Sequence, residues 1–356
     1  MPNLTKSIIF KIIFIFIFLS CSRNLPEKDP SILKAVDYIR KKGVSSFGMD
    51  YIKQDYPFAL KYPEKDDFGK NFVSAFVLSA LDRKTEPAIF NEITSMLTAK
   101  QGKTGLWSFD DHGISTDSDT TLTVLIALMH TGDINKERSS LTRSSIESIY
   151  KRFCGLASIN NPKDHSNFKT HLEPTANYLY LISYLKERIE GLDCIAEEII
   201  KRQNSDGSFS AYWYPSNFFA TFLAVRALSA YSATLKSGST QYERSGIAIN
   251  NAVDFLKKAI NNDKGWGKES NAMDTAFAIM TLGMIDTAMH RDIISEGVKY
   301  LKLSQNADGS WNGSVIFNYY YTQCEYRNYP EPWHDINRNL ISTALALKVL
   351  RTFSAI

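Results

Sequence analysis

The chain has 356 residues, with 41 Lys and Arg against 38 Asp and Glu, a formal charge of +3, six His and four Cys. So even a balance leaves no basic excess to hold phosphate backbones, which excludes nucleic acid as a partner on electrostatic grounds. Apolar residues at 44% and aromatics at 12% are enough for a sizeable core rich in rings.

The chain opens with an apolar run, IIFKIIFIFIFL, interrupted by Lys11, preceded by Lys6 and followed by Ser20-Cys21-Ser22. The run is too short to span a bilayer comfortably and has the layout of a secretory signal. A small residue before Cys21 resembles a bacterial lipoprotein cleavage site, so residues 1–21 are expected to form the signal. Cys21 would be the lipidated N-terminus of an exported, membrane-anchored protein; an uncleaved anchor or an ordinary signal is the alternative. Residues 22–31 are polar, contain two prolines and read as a tether. Cys154, Cys194 and Cys324 show no CxxC spacing; neither a metal site nor a disulfide framework is expected, and buried thiols are the default.

From residue 32 to 356 the sequence repeats itself. Six units, about 32–84, 88–133, 139–188, 192–233, 245–288 and 290–356, each read as an amphipathic helix, a turn and a helix apolar almost all round. Alternating half-exposed and buried helices call for two layers. Closing six hairpins on themselves gives a single all-α domain, an (α/α)6 toroid, with an open superhelix as the alternative. QNSDGSF at Gln203 and QNADGSW at Gln305 are strong turns that place Gly207 and Gly309 after Asp. Their glutamines are suited to cross-linking neighbouring helices.

Asp117 and Asp119, in DSDTTLTVLIAL, stand at the start of the second inner helix. An acid there caps the helix and suits its dipole without any catalysis. Counting back from the apolar helix that ends each unit, the position of Asp119 reads Phe72, Asp119, Ala176, Phe219, Asp274 and Ile341. Asp274 is therefore expected to face Asp119 across the ring. Trp107, Thr120, Trp213, Tyr214, Phe219, Tyr320 and Trp333 fall in turns or at inner-helix starts, as candidate lining of a cavity. His334, in EPWHDINRN, is suited to tuning or reloading an acid.

The segments Arg202 to Phe209 and Leu303 to Trp311, with weaker forms at Gly265-Trp266 and Gly105 to Trp107, resemble the QW repeat of squalene-hopene cyclases and related terpenoid cyclases. Asp117-Ser118-Asp119-Thr120-Thr121 resembles their DxDD acid motif, with Thr120 where a third aspartate usually stands. The resemblance implies the same toroid, with Asp119 as proton donor and Asp117 as the carboxylate that orients it. The chemistry would be acid-initiated cyclisation or isomerisation of an isoprenoid or other apolar small molecule. No D-x-C set for zinc and no DDxxD cluster for magnesium is present, so no metal or cofactor is expected. Cyclases of this type enclose substrate with a second helical domain; here residues 312–337 or a partner subunit would have to close the mouth. A non-catalytic lipid- or glycan-binding toroid, and a polysaccharide lyase or hydrolase on the same fold, are the other readings.

Overall fold

A computed structural model of the chain describes residues 29–48, 69–109, 116–158, 170–187, 189–314 and 338–356. The helices are α1 (Pro30–Lys42), α2 (Lys70–Ala80), α3 (Pro87–Ala99), α4 (Ser118–Thr131), α5 (Lys136–Ile149) and α6 (Leu172–Tyr184) in the first half. The second half holds α7 (Leu192–Ile200), α8 (Asn217–Ser232), α9 (Thr240–Lys258), α10 (Ala272–Asp286), α11 (Arg291–Leu303) and α12 (Arg338–Phe353). A hairpin of β1 (Lys151–Arg152) with β2 (Gly155–Leu156) joins α5 to the segment before α6.

The even-numbered helices form a closed inner ring, each packed on the next and α12 packed back on α2. The odd-numbered helices lie outside it: α7 between α6 and α8, α9 between α8 and α10, α11 between α10 and α12, and α1 against α12. This is the expected (α/α)6 toroid, and the contact of α12 with α2 removes the open superhelix. Residues 272–283 of α10 are all buried, as a helix apolar all round must be. By contrast α11 buries only Ile294, Gly297, Val298 and Leu301, a single stripe at i, i+3, i+4 and i+7. Among the described residues no helix is long and apolar enough to cross a membrane.

The turns lock the two layers together. Gln203 Nε2 donates to Gly207 O (2.9 Å) inside its own turn and to Ala248 O (2.7 Å) on the next outer helix. Gln305 Nε2 does the same with Gly309 O (3.0 Å) and Ser31 O (2.9 Å), closing the ring of outer helices across nearly the whole chain. Gly207 sits at φ 92°, and a Cβ there would meet Asn251 O at 2.2 Å, so only glycine allows this approach.

Trp107, Trp266 and Trp311 are fully buried wedges between the layers. Each indole N–H donates to the carbonyl ten residues before it, that of Leu97, Leu256 or Leu301, at 2.7–2.8 Å. Trp107, expected to line a cavity, is fully buried and tied by hydrogen bonds to Leu97 O in α3 and to Thr121 in α4.

Two further expectations change. The helix α1 starts at Pro30 under an Asp29 cap, so the last two residues of the expected tether are helical. Cys154 and Cys194, expected as thiols, form a disulfide with Cα atoms 5.3 Å apart, because the β1–β2 turn carries Cys154 to the start of α7. Residues 1–28, including Cys21, lie outside the described residues.

Candidate active site

The inner helices enter the ring through a shared device that fixes their relative height. The backbone N–H of Trp107, Leu156, Phe209, Trp266 and Trp311 each donates to a threonine hydroxyl on the following inner helix: Thr121, Thr175, Thr221, Thr275 and Thr343, at 2.9–3.1 Å. Two residues before each threonine stand Asp119, Glu173, Phe219, Met273 and Ile341. This rung corrects the alignment made from helix ends. The third unit contributes Glu173 instead of Ala176, and the fifth contributes Met273 instead of Asp274. The two acids of the rung are therefore on adjacent helices, α4 and α6, not on opposite ones.

The other rung residues are apolar and meet in a hollow. Phe72, Phe76, Tyr214, Ser216, Phe219, Met273, Phe277 and Ile341 line a small apolar hollow of about 10 Å³. Tyr214 and Phe219 meet edge to face at 4.6 Å, and Phe219 lies 4.7 Å from Phe277. Thus one side of the rung is acidic and the rest is aromatic or aliphatic.

Asp119 is 8% exposed. Burial, and then the charges of Glu173 and Asp117, push its carboxyl well above the usual range, while a bond from Ser158 opposes the shift. Burial and the neighbouring charges both favour the neutral form of Asp119. Glu173, fully buried, is also raised by burial, but its Oε1 accepts from the backbone N–H of Tyr212 (2.8 Å) and Trp213 (2.7 Å), which supports its charged form. Its Oε2 has no hydrogen-bond partner. Of the coupled pair, Glu173 is the better placed to carry the charge and Asp119 the proton.

A short polar chain leads away from Asp119. Ser158 Oγ lies 2.9 Å from Asp119 Oδ2 and 2.6 Å from His171 Nδ1. Ser158 is placed by the extended segment after β2, where Ser118 N and Oγ donate to Ser158 O (3.0 Å) and Ala157 O (2.7 Å). His171 stands just before α6 and stacks on Tyr212 at 3.9 Å, with Trp213 edge-on at 5.8 Å. Burial, then the nearby Arg202, hold His171 down to about 4, so it is neutral. Tyr212 is exposed, so the chain runs from the rung to the surface.

The remaining expected residues are placed as follows. Asp117 is the N-cap of α4, its Oδ1 accepting from Thr120 N at 2.7 Å. Thr120 is fully buried. Asp274 lies beside the rung, where its Oδ2 accepts from Asn271 Nδ2 (2.8 Å) and its Oδ1 from Ser216 Oγ; burial raises its carboxyl. Trp213 packs on His171 and reaches the rung only through its backbone bond to Glu173. His334, Tyr320 and Trp333 lie outside the described residues. Among those described, no three His, Cys, Asp or Glu side chains converge on a metal position.

A model of the squalene-hopene cyclase C-terminal domain matches residues 175–332. Among solved structures, the type II terpene cyclase MstE from Scytonema superposes with a TM-score of 0.71 at 18% identity, over 92% of this chain and 98% of that one. The chain shares the toroid fold of that cyclase. Squalene-hopene cyclase from Zymomonas mobilis is 26% identical over 128 residues, 32% of this chain but only 18% of that protein's length. A family 105 glycoside hydrolase from C. acetobutylicum has the same architecture, with a TM-score of 0.61 at 14% identity over 92% of this chain and 99% of that one. The toroid is thus similar to proteins of two chemistries, and the rung must decide between them.

Proposed function

We propose that this toroid cyclises or isomerises an isoprenoid by protonating one of its double bonds with Asp119. The observation that carries the reading is a buried carboxyl, raised by burial and by Glu173, on the same rung as Phe72, Phe219, Met273 and Ile341. Protonating an alkene needs an acid kept un-ionised in a dry site, and the cation that results must be faced by rings and alkyl groups, which do not quench it.

In the proposed reaction Asp119 gives its proton to one alkene carbon, and the electrons of the next double bond close a ring onto the cation. A final proton loss restores a neutral product, so that the net change is an isomerisation. The resulting Asp119 carboxylate accepts the Ser158 hydroxyl, and Ser158 accepts from His171 Nδ1–H. A proton entering at His171 can then return to Asp119 along that chain. Asp117 holds the first turn of α4, and so the aim of Asp119, through its bond to Thr120 N.

A variant of the type II terpene cyclase MstE has been solved with geranylgeranyl dihydroxybenzoate as substrate, which supports a prenylated compound as the substrate class. A sugar hydrolase needs a polar groove, whereas the hollow among the described residues is lined mainly by rings and alkyl groups, which favours the isoprenoid reading. Export and lipidation at Cys21 belong to the same proposal; they are supported by the N-terminal sequence and by the Cys154–Cys194 disulfide, a bond of oxidising compartments. Incubating the full chain with prenylated substrates and analysing the products by mass spectrometry tests the activity. Ring-closed isomers from the parent protein and none from Asp119→Asn are expected; equal product from both would remove Asp119 from the reaction.

A further inference from the structure

The proposed reaction ends on a proton loss, and one wall of the apolar hollow is built to receive that proton. Ser216 lines the hollow and is the N-cap of α8, its Oγ accepting from Phe219 N at 3.2 Å. The same Oγ donates to Asp274 Oδ1, in the first turn of the neighbouring inner helix α10. Asp274 Oδ2 accepts from Asn271 Nδ2 at 2.8 Å, and Asn271 Oδ1 accepts in turn from Asp274 N (2.9 Å) and Ser314 Oγ (2.8 Å). Both carboxyl oxygens of Asp274 are therefore acceptors, as those of a carboxylate are. Burial raises this carboxyl and makes it a stronger base than a solvated one, while the bonds from Ser216 and Asn271 favour its charged form.

A hydroxyl oxygen has two lone pairs. At Ser216, Phe219 N takes one and leaves the second for whatever fills the hollow. The rest of the lining is rings and aliphatic chains, which face a cation without trapping it. A hydroxyl backed by a carboxylate does the opposite, drawing a proton from a carbon next to the positive charge. Such a pair is a fault in the lining unless it stands where the charge is meant to end. The helices α4 and α10 are the second and fifth of the six inner helices, so they stand opposite each other in the ring. Asp274, one residue off the rung, is thus on the wall opposite Asp119.

We propose that Ser216 and Asp274 terminate the cyclisation: Ser216 Oγ takes a proton from the carbon beside the last cation and passes its own hydroxyl proton to Asp274 Oδ1. The electrons of the broken C–H bond become the new double bond. Asp274 then gives the proton to water as product leaves, and the carboxylate returns. Ser216 is the residue that meets the substrate, and Asp274 acts through it. The inference rests on the cyclase reading and adds what selects the product, since Ser216 decides which carbon loses its proton and so where the last double bond lies. It makes the product class an alkene and not an alcohol.

The test reads product identity in the full chain, by mass spectrometry and NMR of the cyclised material. One main double-bond isomer is expected from the parent. Ser216→Ala and Asp274→Asn are each expected to lower its share at least about tenfold against other double-bond isomers and water-captured alcohols, a modest figure for the loss of a general base. Asp274→Glu is expected to restore part of that share. Lost stability alone would lower the yield without moving the ratio. A ratio unchanged in both variants overturns the inference and leaves the cyclase standing; cyclised product absent from the parent overturns both. Should a variant fail to fold, the parent crystallised with its product decides. The carbon that lost the proton is expected about 3.5 Å from Ser216 Oγ, and its lying against the Tyr214 hydroxyl instead overturns the assignment.

Discussion

Replacing Glu173 by Gln should stabilise the protein near neutral pH, although Glu173 is buried and accepts two backbone hydrogen bonds. The amide oxygen keeps both acceptor bonds, and the amide nitrogen replaces Oε2, which has no partner to lose. What the substitution removes is a negative charge coupled to Asp119. Both carboxyls are raised in the folded state, so the folded protein binds more protons than the unfolded chain. Stability from these groups is then fully present below the unfolded carboxyl range and is lost as pH rises through the raised values. Two unit charges 4–8 Å apart at an effective dielectric of about 20 repel by about 2–4 kcal/mol, which bounds the gain from relieving the pair. An orphaned amide donor would cost about 1–3 kcal/mol against it. Histidines lowered by burial and Lys348 contribute slopes of their own, but these cancel in the difference between variant and parent. The assay is urea unfolding of both proteins from pH 4 to 8. The difference should grow in favour of Glu173→Gln with rising pH; a constant loss at every pH would refute the claim that Glu173 and Asp119 share one field.

Ser158→Ala should leave substrate binding intact and slow multiple turnover more than the first turnover, which rapid-quench measurement separates, because Asp119 would lose its route for regaining a proton. Gly207→Ala should lower stability by more than about 1 kcal/mol, since it combines a positive φ with a close approach to Asn251 O; thermal unfolding against Gly132→Ala, where nothing stands within 4 Å, isolates the contact. Reducing the Cys154–Cys194 bond, which spans 40 residues, should cost about 4 kcal/mol on the loop-entropy scale and appear as a lower melting temperature in reductant.

The ring was legible because its signals are periodic and repeated: Val253, Leu256 and their counterparts mark outer stripes, while DTAFAIMTLG and FATFLAVRAL mark buried rods. The site was legible only in part. Asp119 stood out beside its cap, but counting from helix ends slipped the register by three residues in the third unit and by one in the fifth, because inner helices differ in length at their C-termini. What sets the height is the threonine at each helix start, and Thr175 would have pointed to Glu173. His171 was hidden for a related reason: the third unit lost its Gly-aromatic mark, so the turn that carries His171 was not recognised. The cysteine pair carries no spacing signal, since its partners meet only after β1 and β2 turn the chain back.

The central claim is that the reacting proton comes from Asp119. The most direct measurement is turnover in deuterated water with the full chain and a prenylated substrate, followed by mass spectrometry and NMR of the product. One solvent-derived deuteron at the carbon that was protonated, absent with Asp119→Asn, is the predicted result. Ring-closed product carrying no solvent deuteron would contradict the account.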